Sequence, residues 1–283
     1  MKSVVVTGAS TGIGGGCTKV LVGRGFHVFG SVRKQADADR LTSEFGERFT
    51  PLLFDITDAA AVNRAAEQTA AGLGNATLAG LVNNAGIAVA GPLLYLDIEE
   101  LRQQLEVNVT GQLIVTQAFT PLLGADRSRV GEPGRIVMIT SIGGRNANPF
   151  TGPYNASKFA LEGLSESLRR ELMIFGIDVI VVAPGAVATP IWDKAEQIDT
   201  SRYANTVYAG ALDRVKSYML ELGRKGFPPE KIGEAVYRAL TAKKPKVRYT
   251  VTPDVMQNIM VNTLPKRTVD RLVAGRLGLT RQS

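Results

Sequence analysis

Tyr154 and Lys158 stand four residues apart in the segment Tyr154-Asn155-Ala156-Ser157-Lys158. On a helix that spacing puts both side chains on one face. A tyrosine hydroxyl titrates near ~10, too high for a general base at neutral pH. An ammonium group beside it favours the phenolate and lowers that value. The pair is therefore a candidate acid/base that needs no histidine, in a chain whose one histidine, His27, lies in a distant apolar run. The same spacing is also common on solvated helix faces. Ser141 precedes Tyr154 at the end of a β-branched run, and Asn108 interrupts a helical stretch. Asparagine is a poor helix-interior residue because it competes for backbone hydrogen bonds. A strand-end serine is more often a plain turn residue, and its offset from Tyr154 is what singles Ser141 out.

A second constellation is the glycine-rich run Thr7-Gly8-Ala9-Ser10-Thr11-Gly12-Ile13-Gly14. It falls between a strand-like run and a helix-like one, the context a dinucleotide loop requires. Glycines let the backbone turn sharply and approach a pyrophosphate, while the helix N-terminus offers free N–H groups and partial positive charge. The spacing is G-x-x-x-G-x-G, not G-x-G-x-x-G. Gly15 and Gly16 carry the run into the helix, where each glycine costs ~1 kcal/mol relative to alanine. Close approach of the helix to the sheet or to a cofactor is the one local reason for them.

These residues need a frame to bring them together. Apolar runs at 4–7, 27–32, 51–54, 78–82, 135–140 and 178–183 alternate with helix-compatible stretches near 13–24, 37–46, 58–73, 97–123 and 155–175. Near-continuous apolar strands are buried on both faces. Repeated strand–helix alternation predicts an α/β fold, a doubly wound parallel sheet of Rossmann type with helices on both sides. The 283 residues read as one domain, with a cofactor-binding and catalytic core at 1–190, a helical lid at 191–228, a helix starting near Pro229, a strand at 247–251 and a basic tail at 255–283. One cysteine, Cys17, excludes a disulfide scaffold, and one histidine leaves no metal cluster. No apolar run approaches the ~18–20 residues of a membrane span. The three valines after Lys2-Ser3 are too few for a signal-peptide core, so a cytoplasmic protein is expected.

The glycine turn at 7–14, Asn83-Asn84-Ala85-Gly86, Ser141, the Tyr154–Lys158 segment and Pro184-Gly185 fall in the order and spacing of the short-chain dehydrogenase/reductase family, which residues 1–190 resemble. The resemblance implies catalytic roles for four residues. Ser141 would hydrogen-bond the substrate oxygen, Tyr154 would exchange its proton, and Lys158 would also hold the nicotinamide ribose. Asn108 would help hold a water near the lysine. It implies cofactor contacts from Gly8, Ser10, Thr11, Gly12, Ile13 and Gly14 in the turn and from Asp55, with Ile56 beside it, at the adenine. Asn84, Ala85 and Gly86 would line the cleft, and Pro184, Gly185, Val187 and Thr189 would meet the nicotinamide end. It also implies a homodimer or homotetramer through the helices at 97–123 and 155–175.

The cofactor is expected to be NADP, with NAD the alternative. An acidic residue at the end of the second strand accepts from the 2′-hydroxyl of NAD and repels a 2′-phosphate. Here Val32 holds that place and Arg33-Lys34 follow, and arginine grips phosphate bidentately. Ser31 would add a hydroxyl donor, whereas Thr11 stands where some relatives carry a basic clamp. A solvated strand end is the plain reading of Arg33-Lys34.

The expected activity is hydride transfer between NADP(H) and a secondary alcohol or ketone, without metal; a catalytically idle cofactor-binding sensor or scaffold is the alternative. The segment 165–172 resembles members acting on steroids, retinoids and other lipophilic alcohols. Ile191, Trp192, Tyr203, Tyr208, Tyr218 and Met219 supply apolar area either for a greasy ligand or for packing of the lid. Residues 214–283 carry 15 Lys/Arg against 5 Asp/Glu, while the rest carries 18 against 21. This basic tail has no zinc spacing and almost no aromatic interleaving, so no nucleic-acid partner is expected. Val269, Leu272, Val273 and Leu277 form one helical stripe, with Arg267 and Arg271 opposite. The stripe suits peripheral contact with an anionic membrane or docking on the protein's own core.

Overall fold

The computed structural model describes residues 1–196 and 199–280, without the side chains at 194 and 195; residues 197–198 of the expected lid and 281–283 of the expected tail lie outside it. Seven strands among the described residues form one sheet: β1 Ser3–Val6, β2 His27–Val32, β3 Phe49–Leu53, β4 Gly80–Asn83, β5 Arg135–Ile139, β6 Asp178–Pro184 and β7 Arg248–Val251. Their order is β3-β2-β1-β4-β5-β6-β7 and every pairing is parallel. Val5 pairs with Phe29 on one side and Leu81 on the other. The chain winds outward from β1 to β3 and returns to β4 on the opposite side of β1. That reversal opens a cleft above the carboxyl ends of β1 and β4, where ligands of such sheets bind.

Helices α1 Gly12–Gly23, α2 Gln35–Phe45, α3 Ala59–Leu73, α4 Ile98–Leu105, α5 Gln112–Phe119, α6 Gly152–Glu171, α7 Ile191–Glu196, α8 Ala209–Arg224, α9 Pro229–Thr241, α10 Val255–Thr263 and α11 Lys266–Leu277 complete the fold. Successive strand residues face opposite sides. Val4 and Val6 pack with Cys17, Leu21, Ile232 and Val236, whereas Val5 packs with Leu81, Val115, Phe119 and Leu161. Asp58 caps α3 by accepting from the Ala61 amide at 3.0 Å.

The single helix expected at 97–123 is broken. Between α4 and α5 the segment Glu106–Gly111 is wound as a π-helix, and Thr120–Leu123 tightens into a 3₁₀ turn. The apolar period cannot reveal such an insertion, because it adds one residue without changing which residues are apolar.

Gly16 has a tertiary reason. Its α-carbon faces α9, where an added Cβ would lie 2.5 Å from the Pro229 backbone, and a Cβ on Gly233 would lie 2.7 Å from Gly16 O. The two glycines let α1 and α9 cross in contact. A Cβ on Gly15 would meet nothing nearer than 3.6 Å, so packing does not explain that residue.

In the lid, Tyr203, Ala211 and Leu212 form a small core with Phe150, and Tyr208 packs on it. Tyr203 thus packs in this small core. In the tail, Val269 and Leu277 are buried while Leu272 is exposed. The Arg214 guanidinium of α8 donates to Leu277 O at 2.8 Å, and Arg276 lies 4.5 Å over the Tyr218 ring. Part of the tail therefore docks on the chain's own α8. Among the described residues no helix is long and apolar enough to cross a membrane.

Candidate active site

The glycine turn is held from two strands. Gly8 and Gly12 adopt positive φ, +67° and +57°, which favours glycine. A Cβ on Gly14 would fall 2.0 Å from Gly8 O, so the turn can close only without a side chain there. Asn84, at the end of β4, donates from Nδ2 to Thr7 O at 2.8 Å, and the amides of Asn84 and Ala85 donate to Thr7 Oγ1 at 2.9 and 3.0 Å. Ser10, Thr11, Gly12 and Ile13 lead into the N-terminus of α1, whose early amides could hold an anion. Across the cleft, a Cβ on Gly12 would touch the Thr189 side chain at 3.5 Å. The segment after β6 thus faces the turn.

Ser31, expected to add a hydroxyl donor at the phosphate, props the glycine turn. It is buried, and its Oγ accepts from the Gly8 amide at 2.9 Å. Val32 is 2 % exposed within the apolar core, so the place where relatives carry an acid is sealed here by a hydrocarbon. Arg33 remains largely exposed, with Nη1 3.6 Å from Asp55 Oδ2. An ion pair this exposed is weak and readily exchanged for another anion. Burial pushes the Asp55 carboxyl up, but hydrogen bonds from the Thr57 amide and hydroxyl, together with Arg33, outweigh it and hold the group below its ordinary value. Ile56 turns its side chain towards Gly111 in the π-helix, leaving its backbone for any ligand contact.

Ser141 follows the end of β5 and caps the short turn Ile142–Gly144. Its Oγ accepts from the Gly143 amide at 2.9 Å and lies 3.5 Å from Pro184 O. Tyr154, in the first turn of α6, is half-buried; burial raises its hydroxyl above the ordinary tyrosine value, and the neighbouring Ser141 hydroxyl opposes that rise. Lys158 follows one turn later, with its Nζ 5.7 Å from the Tyr154 ring centre. Its ammonium donates to Ile139 O at 2.9 Å, and burial lowers its pKa to about 8. The expected lowering of the phenol by the lysine charge is therefore not the dominant effect: burial governs both groups.

Asn108 is fully buried in the π-helix. Its Oδ1 accepts from the Ile87 amide at 2.8 Å, and its Nδ2 donates to Ile87 O and to Ser157 Oγ, each at 3.0 Å. Both amide hydrogens are used, so the side chain pins the loop after β4 to α6 and leaves any water relay to the main chain. Gly86 is required beside it, since a Cβ there would lie 2.9 Å from Asn108 Oδ1. Gln104, unremarked in the sequence, does the same one turn earlier: it donates to Ile87 O at 2.9 Å and accepts from the Val89 amide at 2.7 Å. The i,i+4 pairing of Gln104 with Asn108 was the available signal. Gly185 packs against Thr252, Val187 is buried with its carbonyl accepting from Trp192 Nε1 at 2.7 Å, and Pro184 contributes its carbonyl beneath Ser141.

The residues fit a nicotinamide dinucleotide. They offer a side-chain-free turn at a helix N-terminus, an exposed guanidinium and carboxylate at the ends of β2 and β3, and a phenol and an ammonium group at the opposite end of the cleft. The family model described as short chain dehydrogenase matches residues 2–199. The chain is 39% identical over 273 residues, 96% of each chain, to the NADPH-dependent 3-dehydrocapnine reductase of Ornithobacterium rhinotracheale. It is 33% identical over 250 residues, 88% of this chain and 87% of the relative, to a 3-ketodihydrosphingosine reductase of Bacteroides thetaiotaomicron. The crystal structure of a short-chain dehydrogenase from Streptomyces avermitilis superposes with a TM-score of 0.76 at 27% identity, covering 99% of this chain and 98% of that one.

Proposed function

The chain belongs to the short-chain dehydrogenase family, and we propose that it interconverts a ketone and a secondary alcohol on a lipophilic substrate, using NADP(H). One observation carries this reading: the Ser141 hydroxyl and the Tyr154 ring sit side by side at Gly143 above the end of β5, with Lys158 one helical turn away, and the glycine turn lies across the same cleft. The nicotinamide, when bound, supplies the hydride chemistry. The α1 amides and the glycine turn hold the pyrophosphate, Arg33 takes the 2′-phosphate, and Asp55 accepts from the adenine. Lys158 holds the ribose. Ser141 hydrogen-bonds the substrate oxygen, and Tyr154 donates the proton to it in reduction or removes it in oxidation.

The lipophilic substrate is supported by exposed Leu93, Leu94 and Tyr95 beside the N-terminus of α6. Gly152 opens room for Leu93 there, since a Cβ on it would strike Leu93 Cδ2 at 2.7 Å. Two relatives named as reductases of 3-dehydrocapnine and 3-ketodihydrosphingosine favour the reducing direction and a long-chain ketone. Self-association fits exposed Ile98, Phe159, Met173 and Ile174 on and after the helices expected to pair.

The test is NADPH oxidation by the purified chain with 3-dehydrocapnine, 3-ketodihydrosphingosine and short-chain ketones. Turnover of the long-chain ketones above the short ones is expected. Tight NADPH binding with no turnover of any ketone would overturn the enzymatic reading in favour of a cofactor-binding sensor.

A further inference from the structure

The turn that carries Ser141 is held at both ends by one carboxylate. Glu162 lies one helical turn beyond Lys158 on α6. Its Oε1 accepts from the Thr140 hydroxyl at 2.7 Å, and its Oε2 stands 3.4 Å from Arg145 Nε. Thr140 immediately precedes Ser141, and Arg145 closes the short turn Ile142–Gly144 that follows it. The turn can sit this low on α6 because residue 144 is glycine: a Cβ there would lie 3.0 Å from Lys158 O and 3.1 Å from Glu162 Cγ.

The remaining partner arrives from the last strand. Arg248 places Nε 3.1 Å from Glu162 Oε2 and directs Nη2 at the Ser141 carbonyl oxygen, 3.4 Å away, while Nη1 bonds Thr250 Oγ1. The Glu162 and Arg248 side chains are only 14% and 13% exposed. A desolvated carboxylate persists only when its lone pairs are filled. Every group filling these lone pairs belongs to the Ser141 loop or to the residue that reaches it from β7.

We propose that Glu162 and Arg248 are positioning residues that fix the Ser141 hydroxyl against Tyr154, so that the C-terminal strand sets the geometry of the reacting end of the cleft. Ser141 Oγ already takes the Gly143 amide, and a shift of the turn re-aims the hydroxyl. Misplacement by ~1 Å is enough to cost ~10²-fold in rate. The inference rests on the reading of Ser141 as the group that binds the substrate oxygen.

Arg248→Leu, Arg248→Lys and Glu162→Gln in the full chain test it by two readouts. The first needs no turnover: backbone hydrogen exchange at 141–145. It is expected to quicken in Arg248→Leu and Glu162→Gln while the central turns of α6 keep their protection. Unchanged exchange at 141–145 overturns the clamp. The second is kinetics with NADPH and 3-ketodihydrosphingosine. Arg248→Leu is expected to lower kcat by ~10-fold or more, with KM and the NADPH Kd little changed. In a Ser141→Ala background the same substitution is expected to change kcat by less than ~2-fold, because its effect passes through Ser141. An equal loss in both backgrounds overturns the proposal. Arg248→Lys keeps the charge on Glu162 but lacks the fork that also reaches Ser141 O, so it is expected to restore thermal stability without restoring kcat. Glu162→Gln, which retains an acceptor for Thr140, serves if Arg248→Leu does not fold. If the unmodified chain reduces no ketone, the functional reading falls alone, and exchange at 141–145 still decides the clamp.

Discussion

The Lys158 ammonium donates to the Ile139 carbonyl oxygen at 2.9 Å, which ties α6, the helix that carries Tyr154, to the end of β5. Burial lowers the lysine pKa from 10.5 to about 8. The folded protein thus carries a charge it holds poorly at pH 7 and releases as pH rises through about 8. Ketone reduction, measured as kcat/KM against pH, is expected to fall above that point, and the fall is expected to move to higher pH in Lys158→Arg. The unfolded chain keeps its lysine proton up to 10.5, so this group penalises folding below about pH 8 by about 3 kcal/mol. The penalty fades between pH 8 and 10.5. Lys158→Met is therefore expected to raise Tm more at pH 7 than at pH 10.

Tyr154→Phe removes the hydroxyl and keeps the ring. Turnover is expected to drop by ~10²-fold or more, while NADPH titration by fluorescence gives an unchanged affinity. Near-normal turnover would remove Tyr154 from the chemistry.

On the proposed reading, cofactor preference rests on Arg33, since Val32 is sealed in the core and a carboxylate placed there would be buried without a partner. Arg33→Ala is expected to weaken NADPH by ~10-fold or more and leave NADH within ~2-fold, as the loss of a charge-assisted phosphate contact predicts. Equal effects on both cofactors would assign the arginine to Asp55 alone.

Gly16→Ala drives a methyl group into the Pro229 backbone at the crossing of α1 and α9. Overpacking of this kind costs ~1–3 kcal/mol, so Tm is expected to fall by several degrees. Gly15→Ala meets ordinary contact distances and is expected to leave Tm unchanged or slightly raised. Calorimetry of the two variants separates packing from helix propensity.

Deleting 265–283 removes the buried Val269 and Leu277, together with the acceptor for Arg214. A lower Tm and poorer soluble yield are expected. Flotation of the full chain with anionic and neutral vesicles at low salt tests the membrane role of the remaining basic surface. Unchanged stability with lost vesicle binding would mark the segment as a membrane element instead.

Legibility in the sequence followed the range of the interaction. The strand 27–32 was readable because a strand covered on both faces has no polar alternation, and the glycine turn because its steric demand is met within eight residues. The Tyr154–Lys158 pair was readable for the same local reason. Gly16 was opaque because the backbone it must clear belongs to Pro229, more than 200 residues later. The contact of Ser31 with the Gly8 amide is not legible locally, because Gly8 sits on the neighbouring strand's loop. Gln104, Glu162 and Arg248 look like ordinary surface residues of helices and an edge strand. Only the fold reveals that they meet loops carrying the reacting groups.

The hydrogen bond from Arg248 to Ser141 O spans 107 residues, and this separation orders events during synthesis. Chains fold from the N-terminus as they emerge. A ribosome that has just released residue 185 has already delivered the glycine turn, Ser141, Tyr154 and Lys158, and the six strands that carry them. The brace on the serine turn is still untranslated. A nascent chain stalled before residue 248 therefore holds every group of the proposed reaction with its serine turn unbraced, and competence is expected to arrive with the final strand.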